Sequence, residues 1–160
     1  RTLTENASRH VAGIPGWMEV AKALETAQIP LPLIYGHNDL LPANFLYASN
    51  RVWLIDFEYS AYSTAMFDLA GLSSNAGFDR HQSLELLILY FSSNPDAGLI
   101  QALEAMQCAS LLREAMWSMV SELFLKAPGV DYAAYTANQL DAYSARLDDY
   151  QSRYGKIAIS

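Results

Sequence analysis

Leu33 to Tyr59 reads LIYGHNDLLPANFLYASNRVWLIDFEY, two apolar runs that each end in a polar set apolar packing does not require. The first set is His37-Asn38-Asp39, with Asn44 five residues past the aspartate. The second is Asp56-Phe57-Glu58, and the turn signal Ser49-Asn50 lies between the two. Phe45 to Ala48 reads as a short strand and Arg51 to Ile55 as its partner. With Ser49-Asn50 as a two-residue hairpin turn, Ala48 faces Arg51, Tyr47 faces Val52 and Asn44 faces Ile55. Neighbouring strands lie about 5 Å apart. The fold-back therefore returns Asn44 to the side of Asp56, twelve residues away in sequence.

Asp39 sits on the loop leading into the same crevice. Two carboxylates and an amide then gather at one end of a hairpin, all of them oxygen donors. Hard oxygen ligands of this kind suit Mg²⁺ bound to a nucleotide phosphate. Each residue also has a plainer reading. Asp39 could be a turn aspartate bonded to its own backbone, Asn44 a loop cap, and Asp56 a strand-end residue. A histidine behind an apolar strand, as His37 is, more often organises a loop than performs chemistry.

The pattern H-x-D-x-x-x-x-N, then a hairpin, then D-F-x resembles the catalytic loop and metal loop of the protein-kinase-like fold. His37-Asn38-Asp39 followed by Ile55-Asp56-Phe57-Glu58-Tyr59 resembles the choline/ethanolamine kinase branch within the wider aminoglycoside phosphotransferase family. The likeness is sharp over Tyr35 to Ala70 and weaker from there to about Tyr150. Leu40-Leu41-Pro42-Ala43 departs from the more usual polar, glycine-containing filling of the loop.

The resemblance implies a set of roles. Asp39 would be the catalytic base, accepting or orienting the proton of a substrate hydroxyl. Asn44 and Asp56 would hold Mg²⁺ bridging the phosphates of ATP. His37 and Asp68 would support the loop, Asp68 by hydrogen-bonding its backbone, although an aspartate in a helix's first turn needs no such role. Glu58 would lie near metal or substrate, or else be a solvated loop glutamate. Trp117 would face a cationic head group through its indole, an interaction of about 0.5–2 kcal/mol, with Glu114 nearby to receive an amine. Core packing is the competing reading for Trp117.

The expected fold class is α+β, mostly α. It is the C-terminal lobe of a protein-kinase-like fold, spanning residues 1–160 and helical apart from a small β-hairpin that carries the two loops. A kinase of this fold also needs an N-terminal lobe with a phosphate-covering loop and a strand lysine. The 32 residues before Leu33 contain neither, and Lys22 falls in a helical pattern. The expected partners are thus a small cationic alcohol and that missing N-terminal lobe.

Bulk composition sets the outer limits. The chain has 160 residues, 52% hydrophobic and 17% charged, which is globular. Its net charge of −7 argues against nucleic acid and is compatible with a cationic substrate. A single cysteine, Cys108, excludes an internal disulfide framework and a multi-cysteine zinc site. No stretch is apolar enough to insert in a membrane and no signal peptide is evident, so a cytoplasmic protein is expected.

Periodicity predicts helices over 17–28, 66–75, 81–91, 99–126 and 131–150, with 1–11 weakly helical. Gly13-Ile14-Pro15-Gly16 is expected to break the chain, Leu33-Ile34-Tyr35 to be a buried strand, and Ser60 to Ala65 a loop. Three functions remain open. The first is a phosphotransferase acting on choline, ethanolamine or a similar alcohol. The second is a kinase of the same fold acting on an aminoglycoside or another small molecule. The third, for this chain by itself, is a non-catalytic binding or assembly domain.

Overall fold

The computed structural model describes residues 1–157. Its helices are α1 (Thr2–Glu5), α2 (Ile14–Glu25), α3 (Ala65–Asn75), α4 (Arg80–Phe91), α5 (Ala97–Phe124) and α6 (Tyr132–Tyr154). Its strands are β1 (Leu33–Gly36), β2 (Phe45–Ala48), β3 (Arg51–Leu54) and β4 (Ala61–Thr64). The chain divides into two compact units, Ala27–Ser110 and Arg1–Thr26 with Leu111 onward, the boundary falling within α5.

In the unit 27–110, α3, α4 and the first part of α5 supply the core. Met66, Leu69 and Ala70 pack with Leu87, Ala102 and Leu103, and Ile34 and Phe91 close around them. The helix ends follow local chemistry. Asp79 accepts from the Gln82 backbone N–H at 2.8 Å while the Gln82 side chain accepts from the Asp79 N–H at 2.9 Å, a reciprocal cap. Ser92, at φ 54°, turns the chain out of α4 in the left-handed region. Asp96 accepts from the Leu99 N–H at 2.8 Å and starts α5.

The sheet structure is two antiparallel pairs, β1 with β4 and β2 with β3. The segment expected to be a loop is therefore β4, with Tyr62 opposite Tyr35 and Ala61 opposite Gly36. Ala-Tyr-Ser-Thr has no apolar face, and its strand character comes entirely from pairing with β1. Nor is β1 buried as expected: Leu33 is 68% and Tyr35 67% exposed. Only the Ile34 side of this two-stranded sheet meets a core, so apolar residues on the other side stay in solvent.

In the unit built from 1–26 and 111 onward, Leu3, Ala115 and Met119 form the buried centre, flanked by Ile14, Trp17, Val120 and Leu140. Gly13 to Gly16 does not break this region. Pro15 falls in the first turn of α2, where its missing N–H costs nothing. Asp131 caps α6 by accepting from the Ala134 N–H at 2.9 Å. Glu122 joins the N-terminal segment to α5, with Arg9 Nη2 and His10 Nε2 each 3.0 Å from its carboxylate oxygens.

Burial pushes the Glu122 carboxyl up, but hydrogen bonds with Thr136 and His10 and the charges of His10 and Arg9 outweigh it, so its pKa is lowered. A carboxylate whose folded pKa is depressed stabilises the fold above the unfolded pKa. That stabilisation is lost as pH falls through the lower folded value. Glu122→Gln should therefore flatten the acid side of the melting-temperature profile, read from neutral pH down to about pH 3. An unchanged acid slope in the variant would remove this role from Glu122.

Candidate functional site

All four residues that the motif spacing gathers, His37, Asp39, Asn44 and Asp56, lie in the unit 27–110. The β2–β3 hairpin has the register worked out from the sequence, with Ala48 paired to Arg51 and Tyr47 to Val52. Ser49 and Asn50 both have positive φ, 53° and 59°, the backbone of a two-residue turn whose twist matches the strands. Beyond the last strand pair, the Ile55 N–H donates to the Asn44 carbonyl at 3.0 Å. Asn44 and Ile55 are thus opposite each other, and Asp56 follows immediately.

The loop 37–44 is tied from behind by Asp68 in the first turn of α3. One carboxylate oxygen accepts from the His37 N–H and the other from the Asn38 N–H, both at 2.7 Å. Hydrogen bonds to an ionised acceptor contribute about 1.5–3 kcal/mol each. Gly36 makes room for this arrangement. A Cβ there would lie 2.6 Å from Ser63 Oγ, 2.9 Å from Asp68 Oδ2 and 3.1 Å from Asn38 Oδ1. A side chain at 36 would force Ser63 or the Asp68 carboxylate to shift.

His37 is 4% exposed and uses both ring nitrogens. Nε2 lies 2.8 Å from the Ile55 carbonyl, which can only accept, so Nε2 carries the proton. Nδ1 accepts from the Asp39 N–H at 3.3 Å. The neutral ring thus joins the first loop to the start of the second, and its edge packs on Phe57 with centroids 4.6 Å apart. Asn44, also buried, donates Nδ2 to the Asp39 carbonyl at 2.9 Å. Its amide nitrogen is committed, so the atom it can offer a cation is Oδ1.

Asp39 is half-buried, while Asp56 and Glu58 are exposed. Asp56 sits at φ 64° and Asn38 at φ 62°. Left-handed backbone at a non-glycine residue costs roughly 1–2 kcal/mol and persists where surrounding bonds hold it. One such position lies in each loop, Asn38 in 37–44 and Asp56 in 55–60.

Among the described residues, no three His, Cys, Asp or Glu side chains group tightly enough to hold a metal by themselves. Glu114 and Trp117 belong to the other unit. Glu114 is buried, and Arg113 Nη2 lies 2.7 Å from its Oε1. Trp117 is 48% exposed and meets the ring of Tyr132 edge-on at 6.1 Å, so it is not a core residue.

Three residues of this network escape motif reading. Asn38 donates Nδ2 to the carbonyls of Tyr59 at 3.1 Å and Ala61 at 3.3 Å. Ser63 donates its hydroxyl to Asn38 Oδ1 at 2.6 Å. Gly36 is the third. The one local signal was the asparagine before Asp39, a residue type that tolerates positive φ.

The family model for choline/ethanolamine kinase matches residues 16–96. A probable ethanolamine kinase from Arabidopsis thaliana is 37% identical over 62 residues, covering 37% of this chain and 17% of that protein. Probable ethanolamine kinase A from Dictyostelium discoideum is 27% identical over 154 residues, 83% of this chain and 44% of that protein. Among solved structures, a choline/ethanolamine kinase family protein from Mesorhizobium loti superposes with a TM-score of 0.74 at 24% identity, over 88% of this chain and 47% of that one.

The fold is a mostly helical part of a protein-kinase-like fold. The chain belongs to the choline/ethanolamine kinase family. It spans less than half the length of these relatives. No helix among the described residues is long and apolar enough to cross a membrane.

Proposed function

We propose that this chain carries the catalytic-loop half of an ATP- and Mg²⁺-dependent phosphotransferase acting on the hydroxyl of a small amino alcohol such as choline or ethanolamine. The observation that carries the reading is the set of bonds joining Asp39, Asn44 and Ile55-Asp56. The Asp39 carbonyl accepts from Asn44, Asn44 pairs with Ile55, and His37 holds both loops.

The donor set suits Mg²⁺. Asn44 offers an amide oxygen and Asp56 an exposed carboxylate, both hard ligands. Mg²⁺ ordinarily takes one or two protein carboxylates and completes its shell with water and phosphate oxygens. When bound, the ion neutralises charge on the transferring phosphoryl group.

Asp39 holds the substrate hydroxyl in line and takes its proton as the new oxygen–phosphorus bond forms and the bond from the γ-phosphorus to the bridging oxygen breaks, releasing ADP. His37 and Asp68 keep Asp39 in place. Glu58 adds a negative group on the same loop as Asp56, suited to a metal or an ammonium. Trp117, in the unit built from 1–26 and 111 onward, has an exposed indole of the kind that suits a cation, and the Glu114 carboxylate of that unit is paired with Arg113. In this reading the enzyme works in the cytoplasm, where ATP is available.

The apolar residues Tyr35, Leu46, Tyr47, Val52, Trp53 and Tyr62 are all exposed and suit a further lobe docking on the sheets. That exposure also favours a second reading for the chain alone, as a binding or assembly unit with poor nucleotide affinity.

The test is phosphate transfer from Mg²⁺-ATP by the full-length protein across a panel of choline, ethanolamine and an aminoglycoside. Transfer to either alcohol is the expected result. Transfer to the aminoglycoside alone would move the substrate class, and transfer to none would overturn the proposal.

A further inference from the structure

Two neighbouring side chains hold the two ends of the second loop. His37 reaches the Ile55 carbonyl just before Asp56, and Asn38 reaches the Tyr59 carbonyl just after Glu58. Asp56 and Glu58 are suspended between these two anchors, and the next residue after Asn38 is Asp39. Asn38 is itself fixed at every polar atom involved. Its N–H donates to Asp68 Oδ1, its Oδ1 accepts from Ser63, and its Nδ2 bridges the carbonyls of Tyr59 and Ala61. The residue sits at φ 62°, a conformation that asparagine tolerates and that these bonds hold in place.

We infer that Asn38 is a positioning residue that sets the separation between Asp39 and the carboxylates of the loop 55–60, by clamping the exit of that loop to the loop bearing Asp39. This rests on the phosphotransferase reading for its consequence in catalysis, but the clamp is a physical claim about the two loops. The effect belongs in turnover. A misplacement of about 1 Å between reacting groups costs about 100-fold in rate, with little change in how the ground state is held.

Asn38→Gly is the informative variant. Glycine adopts positive φ freely, so the substitution removes the side-chain bonds without adding backbone strain. In the full-length protein the expected result is a kcat lower by about 100-fold, with KM for the alcohol held within about threefold. Amide hydrogen exchange should accelerate in both 39–41 and 56–60, with α5 and α6 unchanged.

Ser63→Ala removes one of the bonds to Asn38. It should have a smaller effect alone and no added effect in the Asn38→Gly background. A kcat within about threefold of the wild type would overturn the inference, as would loss of exchange protection spread evenly over the chain.

If the wild type phosphorylates neither alcohol, the functional proposal fails on its own. Exchange still decides the clamp in that case. Acceleration in both loops supports it, and acceleration confined to 37–44 overturns it.

Discussion

Asp39→Asn should lower turnover by about 10²–10⁴-fold, the usual contribution of a positioned general base. The substitution is nearly isosteric. The Asp39 backbone keeps its bonds to His37 Nδ1 and to Asn44 Nδ2, because both use main-chain atoms of residue 39. The loop should therefore stay in place and the melting temperature should change little. What is lost is an acceptor for the hydroxyl proton, since an amide oxygen is a far weaker base than a carboxylate. KM for the alcohol should move less than kcat, because the proton shifts only in the transition state. Turnover retained near the wild-type level would take Asp39 out of this role.

Asp56→Asn should produce the other large loss, about 3 kcal/mol of transition-state stabilisation or roughly two orders of magnitude in rate. Asparagine tolerates the left-handed backbone that Asp56 adopts at φ 64°, so the variant separates charge from strain. The signature is metal dependence. The Mg²⁺ concentration for half-maximal rate should rise, while folding is unaffected. An alanine at the same place would add the backbone cost to the loss of the ligand and give a less readable result. A variant with wild-type Mg²⁺ dependence would show that Asp56 is not a ligand.

The two effects have a common origin in a short piece of chain whose geometry is legible in its sequence. Ser49-Asn50 specifies a two-residue turn, and that turn fixes which residues face each other, so Asn44 meets Ile55. Such a register is a local property and needs no knowledge of the rest of the fold. The helices were legible for the same reason, their apolar spacing being written within each segment. Pro15 misled because proline stops a helix in its interior but suits its first turn, and periodicity does not say which position it holds.

The features that no local stretch encodes depend on residues far apart in sequence. The strand β4 exists because β1 pairs with it across the 24 residues 37–60, and its Ser and Thr carry no alternating pattern. The exposure of Leu33 and Tyr35 was invisible because a run of apolar residues reads as buried unless the partner layer is known. The bonds of Asn38 join it to Tyr59, Ala61, Ser63 and Asp68, and no spacing rule links those five positions. The motif names the residues that would touch substrate and metal. The residues that hold them become visible only when the loops are folded.

In the proposed site, Asp39, Asn44 and Asp56 surround one place for a divalent ion bound to nucleotide. Paramagnetic broadening of backbone amide signals by Mn²⁺-ATP, measured on the full-length protein, decides whether they do. The amides of Asp39, Asn44 and Asp56 should broaden first and together, and the effect should weaken sharply in Asp56→Asn. Broadening centred elsewhere, with those three signals left sharp, would place the ion away from these residues.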